Sequence, residues 1–194
     1  MRKGLVYYTD GRLEQRLFDL VVAQLRRCAN GMEIVSVYPG AGAVPGILQM
    51  HRQIIEGLET STANVVFLCE HDVFYSPSHF AFTPLCEDTF YYNVNVWHVR
   101  WPDGYAVAWD DCQQVSGLCA SRELLLDYYR QRIMQIEHEG FNRHYEPGLK
   151  QTVGGQRVEN WRSEYPNLDI RHGGNLTPSK WSPADFRNPQ YAKG

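Results

Sequence analysis

Glu70 and Asp72 stand one residue apart, directly after the apolar run Val65-Val66-Phe67-Leu68-Cys69. A short unbroken apolar run bounded by polar residues reads as a strand buried on both faces. Ligands of open α/β sheets collect beyond the carboxyl ends of such strands. Residues two apart in an extended chain point the same way, so the two carboxylates are placed to share one cation. The chemistry implied is the binding of a metal-bound polyphosphate; the plainer reading of the same residues is a solvated acidic turn. Other polar clusters carry less. Glu137-His138-Glu139 has ligand-type residues, but adjacent helical positions splay apart, which favours a solvated face. Gly40, Gly42 and Gly46 follow a second strand rather than a first and lack the spacing of a dinucleotide loop. No Gly-x-Ser-x-Gly occurs and no cysteine has a local activation motif, so a hydrolase lacks support.

The elements that must position the acidic pair are legible upstream of it. Leu5-Val6-Tyr7-Tyr8 reads as a first buried strand, closed by Thr9-Asp10-Gly11. Leu13, Leu17, Leu20, Val21, Gln24 and Leu25 recur at helical spacing, and Asn30-Gly31 ends that helix. Residues 33–38 form a second strand, and 39–46 a loop rich in Pro and Gly. Ile47, Met50, Ile54 and Leu58 mark a second helix, after which Val65–Cys69 is the third strand. This β-α-β-α-β order is the signature of a parallel, right-handed α/β half-sheet.

Further along, residues 74–80 read as a short helical or looped passage. Residues 90–99 are β-rich, with 105–109 as their hairpin partner across Pro102-Asp103-Gly104. Ser121 caps a long helix whose Leu125, Tyr129, Ile133 and Ile136 share one face, and Gly140 ends it. From Phe141 no period survives, although Trp161, Tyr165, Trp181, Phe186 and Tyr191 suggest a tail packed on the domain.

At 194 residues the chain suits a single domain, 1–194, with a sizeable core. Its 43% hydrophobic and 21% charged residues are those of a soluble globular protein. A net charge of -3 argues against bulk electrostatic binding to nucleic acid, though not against a local basic groove. The five cysteines are scattered without Cys-x-x-Cys, and no signal segment or membrane span is evident, so reduced thiols in the cytoplasm are expected.

The order of elements over residues 4–80, and the residues at their ends, resemble the metal-dependent nucleotide-sugar glycosyltransferases of the GT-A fold. Glu70-His71-Asp72 takes the place of that family's Asp-x-Asp, and Pro77 and Phe80 stand where members often carry a Pro and then an apolar residue. The resemblance implies a Rossmann-like, mostly parallel sheet flanked by helices, with a β-rich acceptor-side portion. It implies that Tyr8, Thr9 and Asp10 hold the base and ribose of a nucleotide-sugar donor, and that Arg52 faces the diphosphate. Taken by itself, Asp10 serves a nucleoside contact or a helix cap equally well. Asp72 would bind the metal directly, whereas Glu70 would touch ribose or reach the metal through water. The segment Asp169–Trp181 resembles the family's C-terminal metal-binding stretch: His172 would return to the cation, and Lys180 and Trp181 would close over the diphosphate. Here no Pro separates Lys180 from Trp181. Mn²⁺ suits a mixed carboxylate and imidazole set better than Mg²⁺ does.

The function implied is transfer of a sugar from a nucleotide-diphosphate donor to a hydroxyl acceptor. Asp110 and Asp111 are the candidate carboxylates for deprotonating that hydroxyl, or else the start of a turn. A nucleotidyltransferase is the alternative enzyme, weakened by the absence of a Gly-rich Lys/Arg signature near residue 10. A non-catalytic nucleotide-sugar-binding protein of the same fold is the other. Tyr91, Tyr92, Trp97, Trp101 and Trp109, with Arg143, Arg157 and Arg162, would suit a modified nucleic-acid base as acceptor, or serve as ordinary core and surface residues. The front half resembles inverting members and the tail retaining ones, which leaves stereochemistry open.

Overall fold

The structure is a computed structural model that describes residues 1–101, 104–142 and 156–172. Strand β1 (Lys3–Tyr8) leads to helix α1 (Gln15–Ala29), β2 (Glu33–Val37), α2 (Ile47–Thr60) and β3 (Val65–Glu70). Asn30 ends α1 in the left-handed conformation at φ 46°, with Gly31 following at φ 82°, so the Asn-Gly stop has its usual stereochemical cause. The chain continues through β4 (Val73–Phe74), α3 (Pro77–Ala81), β5 (Thr89–Asn93), β6 (Asn95–Arg100) and β7 (Ala106–Asp110). A 3-10 turn (Val115–Gly117), β8 (Leu118–Ser121), α4 (Arg122–Glu139), β9 (Arg157–Trp161) and β10 (Asn167–Arg171) complete the described elements.

Two sheets result. The larger has the order β2-β1-β3-β8-β5-β9, in which β8 alone runs against the others. This is the mostly parallel, helix-flanked sheet that the first 70 residues predict. Its side chains alternate between two covered faces. Val6, Tyr8, Val66, Leu68, Phe90, Tyr92, Leu118 and Ala120 meet Ile54, Leu58, Leu125 and Tyr129 of α2 and α4. Leu5, Tyr7, Val65, Phe67, Cys69, Tyr91 and Cys119 meet Leu25, Cys28 and Ala29 of α1 and Phe80 of α3. Burial on both faces is why these strands read as continuous apolar runs rather than as alternating ones. The expected caps of α4 are also in place: Ser121 Oγ accepts from Leu124 N at 3.3 Å, and Gly140 N donates to Ile136 O at 2.9 Å.

The smaller sheet has the order β4-β10-β6-β7. Residues 90–99, read from sequence as one β-rich stretch, divide at Val94 between the two sheets, and the hairpin partner 106–110 pairs with β6 alone. A buried polar knot holds the crossing. Asn93 Nδ2 and Asn167 Nδ2 both donate to His79 Nδ1, at 2.9 and 3.1 Å, and Asn93 Nδ2 also reaches Ser163 Oγ at 2.9 Å. Asn93 Oδ1 accepts from Asn95 N and Ser163 N. Amide groups can only donate from nitrogen, so His79 Nδ1 is the unprotonated nitrogen. Trp161 stacks on Phe82 at 4.3 Å and on His79 at 5.4 Å, as a packed tail requires. Tyr165 departs from that expectation and is 60% exposed. β9 and β10 themselves were not foreseen; each is only five residues long.

No helix among the described residues is long and apolar enough to cross a membrane. His51 and His79 are fully enclosed, His51 edge-on to Tyr129, and burial pushes both rings down to about 3. An unfolded histidine titrates near 6.5, so between about pH 6.5 and 3 the unfolded chain binds more protons at these two positions, and their contribution to stability falls as pH is lowered. Nitrogen-resolved NMR of the imidazoles in the folded chain should find both rings neutral from about pH 7 down to about pH 4.5. Protonation of either ring at or above about pH 5 would contradict neutral, buried rings.

Candidate metal and nucleotide site

β3 lies beside β1 in parallel register, Tyr8 opposite Glu70, so the ends of both strands open at one edge. β3 stops at Glu70, and residues 71 and 72 form a turn into β4. Alternation sends the Glu70 side chain to the face of Val66 and Leu68, where Tyr8 Oη donates to its Oε1 at 3.0 Å. The extended geometry assumed from spacing ends before Asp72, and Glu70 is not among the side chains whose ligating atoms gather around Asp72. Burial, with the nearby Asp72 and Asp169 charges adding, pushes the Glu70 carboxyl up to about 8, against the Tyr8 hydrogen bond.

Asp72 meets His172 instead, with Nε2 to Oδ2 at 3.6 Å across one hundred residues of sequence. Backbone pairing brings them together. β10 lies antiparallel to β4, with Asp169 opposite Val73, and Ile170 N donates to Asp72 O at 2.8 Å. His172 emerges from the end of β10. His71 joins the pair: one ligating atom from each of His71, Asp72 and His172 lies within 4.8 Å of the others. Burial alone would push the Asp72 carboxyl up; the contact with His172 and the neighbouring His71 outweigh it and hold the group below its usual range. Carboxylate oxygen and imidazole nitrogen at this spacing form a donor set that suits a divalent transition ion.

On the β1 side, Asp10 accepts from Arg12 Nε at 2.8 Å and from Arg12 N at 3.0 Å, and its Oδ1 lies 3.5 Å from His71 Nε2. Asp10 thus belongs to the turn at the mouth of the site and does not cap α1, whose N-cap is Glu14. The turn is held from α2 by Gln53, whose Nε2 donates to Thr9 O at 2.8 Å. Sequence reasoning assigned α2's contribution to Arg52, yet that guanidinium pairs with Glu137 of α4 at 2.7 Å on the exposed side. One step along the helix, about 100° of rotation, separates the inward Gln53 from the outward Arg52. Gly57 of α2 faces Val6, and a side chain there would collide with that valine. The close approach of α2 to β1 lets Gln53 reach the turn.

The strand register also places the candidate acceptor carboxylates. Asp110 is opposite Asn95 at one end of β6, whereas Asp72 is level with Ile170, opposite Val99 near its other end. Four residues along and three strands across put the two backbones on the order of 20 Å apart. Asp111 follows at φ 54°, exposed in a left-handed turn. The structure therefore does not bring Asp110 or Asp111 to the cluster, and the Asp110 side chain is outside the described set. Lys180 and Trp181 also lie outside the described residues, as does Arg143. Tyr91 and Tyr92 are core, while Trp101 is 38% exposed.

A buried group that spacing did not reveal lies behind the cluster. Asp169 accepts from Gln114 Nε2 at 2.8 Å and from Arg171 Nη1 at 3.3 Å, and lies 3.5 Å from His98 Nε2. Burial, with Asp72 adding, pushes its carboxyl up to about 6, against Arg171 and Gln114. Its one sequence signal is an acid flanked by Leu168 and Ile170 in a five-residue strand.

Similarity at the level of folding then has a definite target. The chain superposes on the crystal structure of a glycosyltransferase involved in glycosylation of the major capsid of PBCV-1, with a TM-score of 0.51 at 9% identity, covering 87% of this chain and 93% of that one. It also superposes on a mutant Drosophila β-1,4-galactosyltransferase 7 in complex with manganese, UDP-Gal and xylobiose, with a TM-score of 0.52 at 10% identity, covering 97% of this chain and 80% of that one. The fold is the GT-A fold of glycosyltransferases. No protein-family model and no curated protein sequence matches the chain. In a GT-A frame the turn after β1 and the turn after β3 share one edge, and Gln53 braces the first of them. Gln53→Ala removes that buried bond, and urea unfolding should register a loss of about 1–2 kcal/mol. A change within about 0.3 kcal/mol would show that Thr9 is held by other contacts.

Proposed function

We propose that the chain is a glycosyltransferase that moves a sugar from a nucleotide-diphosphate donor to a hydroxyl acceptor, with a divalent cation, Mn²⁺ in preference to Mg²⁺, at Asp72 and His172. The observation that carries the reading is the meeting of these two side chains, 3.6 Å apart, at the ligand-binding edge of the sheet. The GT-A fold of the two solved glycosyltransferases supports it, one of them holding manganese and UDP-Gal. The donor atoms fit the group: one carboxylate and imidazole nitrogens converge, and the buried His71 Nε2 has no hydrogen-bond partner among the described residues.

A cation bound there would neutralise charge on the leaving diphosphate as the sugar–oxygen bond breaks. Asp72, held in its ionised range, supplies the anionic oxygen, and His172 approaches from β10. Tyr8, Thr9 and Asp10 receive the nucleoside end; Arg12 keeps the Asp10 carboxylate in place, and Gln53 keeps the turn. Glu70 stays a buried donor-side group, bonded to Tyr8 rather than joined to the cluster. Lys180 and Trp181 remain in the proposal as the groups that close over the diphosphate. Arg52 would have to leave Glu137 to take part, and the register argues against Asp110 and Asp111 as the base. Free thiols at Cys28, Cys69, Cys86 and Cys119 support a cytoplasmic setting.

The test is a panel of nucleotide-sugars with Mn²⁺, assayed for release of nucleoside diphosphate and transfer to added sugars. The wild-type chain should turn over one donor, lose activity to a chelator and regain it with Mn²⁺. Asp72→Asn and His172→Gln should each lower turnover about 100-fold or more. Full turnover by Asp72→Asn, or turnover indifferent to chelator, would refute the assignment.

A further inference from the structure

We propose that His71 is a third protein ligand of the cation, so that two imidazoles and one carboxylate hold it. The inference rests on the reading that Asp72 and His172 bind a divalent ion, and it deepens that reading by naming the kind of ion the site selects. Consecutive residues of a strand face opposite ways. Here β3 has already ended, and the turn at 71–72 lets neighbouring side chains converge. The His71 and His172 rings are 6.3 Å apart between centroids, and the three ligating atoms lie within 4.8 Å of one another. Donors about 2.1 Å from one ion stand about 3 Å apart when adjacent and about 4 Å when opposite, so the observed cluster needs only a small contraction.

The state of His71 supports the same conclusion. Its side chain is 12% exposed, and its buried Nε2 has no hydrogen-bond partner among the described residues. The Asp10 carboxylate is near it at 3.5 Å, too far for a hydrogen bond and already engaged by Arg12. A buried ring nitrogen in this state is placed to give its lone pair to a cation. The Asp10 charge beside it would add to the attraction without being a ligand.

Selectivity follows from the donor atoms. Mg²⁺ prefers oxygen ligands and keeps its waters, whereas imidazole suits Mn²⁺, Co²⁺ and Zn²⁺. Two imidazoles should therefore make the site discriminate against Mg²⁺ more strongly than Asp72 and His172 alone would.

Pulsed EPR of the full chain loaded with Mn²⁺ counts directly bound imidazole nitrogens without needing turnover. The wild type should show two, and His71→Gln one. His71→Gln should also weaken Mn²⁺ and Co²⁺ binding about tenfold or more, by calorimetry, while Mg²⁺ binding changes less than about threefold. A wild-type count of one, or a His71→Gln spectrum identical to wild type, would overturn the role of His71 and leave the Asp72–His172 site intact. If the wild-type chain binds neither Mn²⁺ nor Co²⁺, the cation reading itself fails and His71 falls with it. The wild-type count alone can refute the proposal if His71→Gln does not fold.

Discussion

The candidate site depends on one short backbone pairing. β4 contributes two residues, and β10 aligns with them so that Ile170 donates to the Asp72 carbonyl. Without that pairing Asp72 would be an acid in a turn and His172 a polar residue after an edge element. With it, a carboxylate and an imidazole from distant parts of the chain are held at 3.6 Å. Backbone hydrogen bonds set strand register to the residue, and a one-residue slip would reverse which side chains face the cluster.

The pairing itself needs β10 delivered to the right place, and the buried knot around His79 does this. Asn93 sits where the chain leaves the large sheet, Asn167 where β10 begins, and both bond the same ring nitrogen. Buried amides and imidazoles must be satisfied, so this knot admits few alternative arrangements. α1 closes the assembly from outside, with Leu17 and Val21 packed on Ile170. The site is thus supported by the apolar core of one sheet and the polar lock between two.

Several of these features were legible in the residues. The runs Leu5–Tyr8 and Val65–Cys69 are apolar without interruption because helices cover both faces of the sheet, and that pattern alone predicts the parallel half. Asn30-Gly31 and Gly140 act locally through backbone stereochemistry and Ser121 through its side-chain hydrogen bond, so the helix ends are where their types indicate. Asp72 and His172 were both named, His172 only through a family resemblance. Gln53 was missed because a helical residue's direction depends on how the helix is rolled against the sheet. Arg52 was preferred to it for its charge, which the structure shows engaged by Glu137.

Sequence by itself determined the strand–helix alternation, the helix caps and the presence of acids at the end of β3, since each depends on residues within a few positions of one another. Only the tertiary structure decided that the chain divides at Val94 between two sheets, that Glu70 turns inward to Tyr8, and that His71, Asp72 and His172 converge. It also decided that Asp110 and Asp111 lie at the far end of β6 from the cluster. The physical reason is common to all four. Side-chain alternation is readable only while the chain stays extended, and the partner of an edge strand is chosen by backbone pairing over long separations, which leaves no periodic trace in either segment.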